Sequence, residues 1–178
     1  VQASRYFVTD PPQGTTLRGS LEAYGGFKVT DESMGLWKRQ MNFALELKAS
    51  AIVLVTPASV TPSSSNVRAM SEFLKTVERR ELPIVWEPHG PWEVEQVRRF
   101  CAAHDVIHAV DPRRDPVPKG DLAYFRFGAF ASGGTRMGMY DLEQILVAAQ
   151  DCDAKVVYCL FETQWALDDV RNLKAILS

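Results

Sequence analysis

Nothing in this sequence is built to cross a membrane, to hold nucleic acid or to form a disulfide framework. No apolar run approaches the ~20 residues that a bilayer-crossing helix needs. Lys and Arg number 20 against 22 Asp and Glu, a formal net charge of −2, so no basic field points to nucleic acid or an anionic membrane surface. Cysteine is sparse. Cys101, Cys152 and Cys159 share no close-spaced motif, which argues against a Cys-ligated zinc site and suits small buried hydrophobes in a reducing cytoplasm. The opening residues VQASRYFVTD have neither a basic n-region nor an apolar h-region, so no signal peptide is expected there. Phosphate loops of the G-x-G-x-x-G and G-x-x-x-x-G-K-[ST] kinds are missing, as is H-E-x-x-H. Ser63, Ser64 and Ser65 lack a nucleophile elbow, which disfavours a serine hydrolase. There is no fixed-period repeat and no low-complexity tract.

What remains is an ordinary globular composition, 46% hydrophobic and 24% charged over 178 residues, ample for one domain with a sizeable core. Short, nearly continuous apolar runs recur: RYFVT, AIVLVT, PIVWE, VIHAVD, LAYFRF and KVVYCLF. Such runs suit parallel strands covered on both faces. Helical stripes separate them, for example Met34, Trp37, Met41, Ala44 and Leu45, or Val67, Met70, Phe73, Leu74 and Val77, and these are core packing. Asp31 or Ser33, Ser65 or Asn66, and Asp141 are the expected helix caps. The order reads β-α-β-α-β-α-β-β-α-β-α. The expected fold is α/β, a TIM-like (β/α) barrel with about six parallel strands visible over residues 1–178. It is incomplete at the N-terminus, because an eight-stranded barrel needs roughly 200–250 residues. A sheet left open beside its first strand would expose an apolar edge. DPRRDPVPKG, with three prolines, reads as a surface connection. ASGGTRMG, Ala131 to Gly138, reads as a loop of the composition that suits a lid.

Each apolar run turns polar where it ends. RYFVT closes at Thr9 and Asp10, PIVWE at Glu87 with His89 beyond it, and VIHAVD at Asp111. LAYFRF carries Arg126 before Gly128, and KVVYCLF closes at Glu162. Parallel strands bring such ends to one rim, where α/β folds bind ligands. Glu87, His89, Asp111 and Arg126 are therefore the expected catalytic set, with Trp92, Gly128, Glu162 and Asp10 as ligand contacts. Three uses are open. Glu87, His89, Asp111 and Glu162 suit a divalent metal. Two carboxylates suit acid–base work on a polyol or sugar. Arg126 suits a phosphate or carboxylate. The expected ligand is a small polar molecule, anionic in the last case. His108, in mid-strand, reads as a core histidine, and His104 as a helix C-terminal residue favoured by the dipole.

The ordered fragments TPASVTP…N…FL, VWEPHGPW, VDP, YFRFG, YDLEQI and VYCLFET resemble the YecE-like proteins, the domain of unknown function 72 family. Members of that family typically carry Q-x-P-P-S-F, E-x-R-x-x-S-W, Y-x-R-x-H-G and Y-x-F-N-N stretches. The resemblance spans nearly the whole chain. It implies a TIM-type barrel and matches rim positions Glu87, Trp92, Asp111, Arg126 and Gly128, without implying a reaction. The family Arg after the Glu is here His89, the His before the Gly is Phe127, and the two Asn are Glu162 and Thr163. Two functional classes follow: an enzyme performing metal-assisted hydrolysis or isomerisation, or a non-catalytic binding or scaffold protein that has lost reactive residues.

Overall fold

A computed structural model describes residues 1–128 and 136–177. Most of the segment expected as a lid, 131–135, lies outside the described residues. The chain divides into two compact units, Val1–Val106 and Ile107–Ser178.

In the first unit, α1 (Asp31–Glu46), β1 (Ile52–Thr56), α2 (Ser64–Thr76), β2 (Ile84–Pro88) and α3 (Val94–His104) follow in order. β1 and β2 pair in parallel, Ile52 with Ile84 through Thr56 with Pro88. Caps set the helix starts, one or more residues from where spacing alone places them. Thr30 accepts from the Ser33 N–H while the Ser33 hydroxyl accepts from the Thr30 N–H, a reciprocal box. Ser63, not Ser65 or Asn66, caps α2 by accepting from the Asn66 N–H. The stripes named above converge on one core. In it Phe7, Trp37 and Phe73 meet with ring centroids 5.4–5.6 Å apart, geometries that add to the value of their burial. α2 is tied to α3 by the Ser71 hydroxyl, 2.9 Å from His104 Nε2. Burial, then Lys75 and Arg79, holds the His104 pKa below its ordinary value.

RYFVT is not a strand. Arg5–Phe7 form a 3-10 turn in which the Ser4 hydroxyl accepts from the Tyr6 N–H. The Val8 and Thr9 N–H groups both fold back onto the Arg5 carbonyl, and the carbonyls of Tyr6, Phe7 and Val8 accept from Gly25, Phe27 and Gly26. Its apolar residues are apolar because Phe7 and Val8 plug the core, and a five-residue apolar run cannot by periodicity be told from a buried turn. The strand-like pairing falls earlier. Gln2 bridges Val53 in parallel, with the Ala3 N–H on the Val53 carbonyl at 2.8 Å. The described residues therefore hold five named strands where six were expected.

In the second unit, β3 (Val106–Val110, beginning at the last residue of the first unit), β4 (Leu122–Phe127), α4 (Met139–Asp151), β5 (Val156–Phe161) and α5 (Ala166–Leu177) follow. β3–β4 and β4–β5 are parallel ladders. Alternation sorts β4 and β5 into two faces. Ala123, Phe125 and Phe127 join Leu142, Ile145 and Leu173 in a core under α4 and α5, with Val157, Cys159 and Phe161 against it. α4 starts at Gly138, whose N–H is accepted by Asp141, so Asp141 caps from inside the first turn. Among the described residues five strands and five α-helices alternate, except that β3 leads to β4 with no helix between them, and every strand pairing within either unit is parallel: an α/β fold.

The isolated titrating groups behave as core. Trp37 and Trp86 are buried. His108 is buried within β3, and burial lowers its pKa to about 4. Burial likewise pushes the Cys101 thiol up to about 12 and, with a smaller push from Cys152, the Cys159 thiol up to about 11. Neither thiol is reactive near neutrality.

Candidate functional site

In the first unit, β2 runs out at Glu87 and Pro88, and the next turn doubles back. The His89 N–H donates to the Thr56 carbonyl at the end of β1. This fixes the imidazole 2.7 Å from Glu87, Nε2 to Oε1, with side-chain exposures of only 9% and 13%. The following residues hold that turn. Gly90 lies against the Val60 carbonyl, where an added Cβ would sit 2.3 Å from the oxygen. Trp92 donates its indole N–H to the same carbonyl at 2.7 Å. Its ring packs edge-on to Trp86 at 4.9 Å. Trp92 is thus an anchor of the strand-end turn, and only its ring remains for a ligand. Thr56, fully buried, accepts from the Trp86 indole N–H at 3.0 Å.

Asp10 stands apart from this pair. It closes a 3-10 turn, not a strand, and is largely exposed, with Lys28 3.9 Å away as its ion partner. Gly25 is required beside it: a Cβ there would collide with the Asp10 carboxylate, at a backbone φ of +75°.

In the second unit, two strand ends each carry an ion pair. Arg126, with its side chain 9% exposed, points from β4 to Glu162 just beyond β5. Its Nε and Nη2 both donate to Glu162 Oε2, at 3.1 and 2.5 Å, and the Glu162 N–H is held by the Phe127 carbonyl at 2.7 Å. At the end of β3, Asp111 faces a residue that the sequence reading passed over, Arg113. Arg113 donates Nε to one Asp111 oxygen at 2.9 Å and Nη2 to the other at 2.6 Å. Its Nη1 reaches Asp141 at 3.2 Å, and its guanidinium lies 5.5 Å from the Phe127 ring centre. The hydrogen bond to Asp111 leads the causes that raise the Arg113 pKa. Asp115 carries a raised pKa from burial and then from the Asp111 charge. The signal available for Arg113 was its place two residues after a strand-terminal Asp, the spacing at which a turn folds a side chain back. Gly128 follows β4 directly, and Phe127, at the position of the family His, is buried in the helix-side core.

Within the first unit Glu87 thus contacts His89, and within the second Asp111 contacts Arg113 and Glu162 contacts Arg126. Among the described residues no three His, Cys, Asp or Glu side chains gather to hold a metal ion, and no helix is long and apolar enough to cross a membrane.

Two solved structures are similar to this chain. One is a DUF72 family protein of Thermotoga maritima MSB8, with a TM-score of 0.62 at 20% identity over 82% of this chain and 65% of that one. The other is a DUF72 family protein of Enterococcus faecalis v583, with a TM-score of 0.61 at 18% identity over 90% of this chain and 70% of that one. The fold is that of DUF72 family proteins. This chain spans about two thirds of the length of the two DUF72 structures it matches. No family model and no curated protein matches the sequence.

Proposed function

We propose that this chain is a DUF72-type, YecE-like domain, part of a TIM-like (β/α) barrel, that binds a small polar, anion-bearing molecule at the C-terminal ends of its parallel strands. In this reading the Glu87–His89 pair moves protons on the ligand in a hydrolysis or isomerisation. The observation that carries it is that pair: a carboxylate and an imidazole 2.7 Å apart and nearly buried at a strand end, where this class of fold places its chemistry. A carboxylate at one ring nitrogen orients an imidazole and selects its tautomer, the arrangement of an acid–base residue with its positioning partner. For the second unit this reading assigns an anionic group, a phosphate or carboxylate, to Arg126, which Glu162 holds nearly buried at the end of β4.

A second reading, a binder without chemistry, is favoured by one observation. Asp111 and Glu162 are each already bridged to an arginine, so two of the strand-end carboxylates expected to react are held as ion-pair partners.

Thermal unfolding against inorganic phosphate, sulfate and small dicarboxylates tests binding. A stabilisation that reaches about 2.7 kcal/mol at a hundredfold excess over Kd is expected when only the folded state binds. It should vanish in Arg126→Gln and persist in His89→Gln. Shifts from Mg, Mn or Zn that Glu87→Gln removes would instead assign the acids to a metal. No shift from either class, in a folded protein, would sink the ligand site.

A further inference from the structure

β1 is apolar until its last residue. Ile52, Val53, Leu54 and Val55 lead to Thr56, which is 0% exposed. Valine has nearly the same shape, and a buried hydroxyl costs free energy unless it is hydrogen-bonded. The Thr56 hydroxyl is bonded twice. It accepts from the Trp86 indole N–H at 3.0 Å. An indole N–H can only donate, so the hydroxyl's own proton points elsewhere. Its acceptor is the Glu87 carbonyl at 3.5 Å, a distance at the outer limit for such a bond. The Thr56 carbonyl in turn accepts from the His89 N–H at 3.0 Å. One buried residue thus holds the chain on both sides of Pro88, its register partner. It grips Glu87 by the carbonyl and His89 by the amide, while Pro88 between them fixes its own φ. Residues two apart in an extended stretch project to the same face. Here their side chains meet at 2.7 Å, Glu87 Oε1 to His89 Nε2.

We propose that Thr56 is a positioning residue for the Glu87–His89 pair, its hydroxyl setting how closely the carboxylate and the imidazole meet. The inference rests on the reading of that pair as the one that moves protons. Fully buried, Thr56 touches no ligand and acts through the residues it holds. Two tryptophans complete the brace. Trp86 donates to the hydroxyl, and its ring meets Trp92 edge-on at 4.9 Å. Trp92 donates to the Val60 carbonyl in the loop that follows β1. The segment that carries the pair is therefore clasped from β1 and its loop at residues 86, 87, 89 and 92, three of these through Thr56. A hydroxyl that served the Trp86 indole alone would leave the pair unmoved on its removal, and the two roles separate on that point.

Proton NMR on the full chain tests it. A ring N–H that meets a carboxylate at 2.7 Å makes a short, charge-assisted bond, and its proton resonates downfield of the backbone amides. The unmutated chain should show such a resonance, and His89→Gln should assign it by removing it. Thr56→Val removes the hydroxyl and keeps the shape. It should lose the resonance or move it upfield, with far-UV circular dichroism unchanged. Thr56→Ser should restore it. Thr56→Ala, read in the same way, replaces the valine variant if that one does not fold. A resonance unchanged in the hydroxyl-free variant, or one that Thr56→Ser also loses, would overturn the proposal and leave the pair itself standing. No downfield His89 resonance in the unmutated chain at any pH would overturn the pair, and the role of Thr56 with it.

Discussion

Removing the Arg113 guanidinium should destabilise the protein more than any other single truncation of a strand-end charge. In Arg113→Ala, Asp111 loses two donors, the side-chain Nε and Nη2 bonds at 2.9 and 2.6 Å. It keeps the backbone N–H of residue 113 at 3.2 Å and Arg114 3.9 Å away, for a carboxylate only 12% exposed in the intact protein. A carboxylate left nearly buried with its partner gone costs about 3–5 kcal/mol. The lost contact with the Phe127 ring adds about 0.5–1 kcal/mol. Because the site is not sealed, the lower end is the better expectation, about 3 kcal/mol, which for a chain of this size lowers Tm by roughly 6–12 °C. Urea unfolding measures it directly. Arg113→Lys should recover part of the loss, since an ammonium keeps the charge but not the fork. Asp111→Asn added to Arg113→Ala should recover more, because the orphaned charge goes with it. A loss under 1 kcal/mol in Arg113→Ala, or no recovery in the double variant, would show that the pair is a solvated surface contact and refute this account of the end of β3.

Two further outcomes follow from buried positions. His108 has its folded pKa depressed to about 4 by burial, so the unfolded chain binds its proton first. Stability conferred by the neutral ring is complete above the unfolded pKa of about 6.5 and falls as pH drops toward 4, by at most about 3 kcal/mol; urea midpoints between pH 7 and 4 should drop less steeply in His108→Gln, and equal slopes would contradict the assignment. Gly90→Ala forces a Cβ to 2.3 Å from the Val60 carbonyl and should cost about 1–3 kcal/mol, with loss of any His89-dependent activity; an unchanged melting temperature would mean that the turn is not held where described.

The parallel strands were legible because burial on both faces writes itself as an unbroken apolar run: AIVLVT, PIVWE, VIHAVD and LAYFRF each became β1 to β4 within a residue or two. KVVYCLF was legible as β5 for the same reason, yet its burial is one-sided, and nothing in a run of six apolar residues says which face lacks a cover. RYFVT misled because Phe7 and Val8 are buried for a different cause. They plug the core from a 3-10 turn whose carbonyls are taken by Gly25–Phe27, nearly twenty residues on. That pairing is long-range and leaves no local periodicity. The helix stripes were readable and the caps less so, since Ser, Thr and Asp cluster ahead of α1 and α2 and only geometry decides which oxygen meets which N–H.

Pairing is also where the reading of the site ran short. The sequence places a charge at or near the ends of β2, β3, β4 and β5, but the chemistry of a carboxylate depends on its nearest cation, and that cation can come from the loop beyond. DPRRDP reads as a solvated connection, yet its first arginine folds back over the strand-terminal Asp with three hydrogen bonds and the buried Phe127 ring beneath it. That geometry makes Asp111 a structural anion. Glu162, clasped by Arg126 through one oxygen, is an orienting group for a guanidinium. Glu87 has an imidazole 2.7 Å from it, the side chain whose ordinary pKa lies nearest neutrality. An Asp–Arg pair cannot pass a proton at any pH the fold survives, because the arginine never gives one up. A Glu–His pair can, and that chemical difference is the reason for proposing residues 87 and 89 as the pair that moves protons.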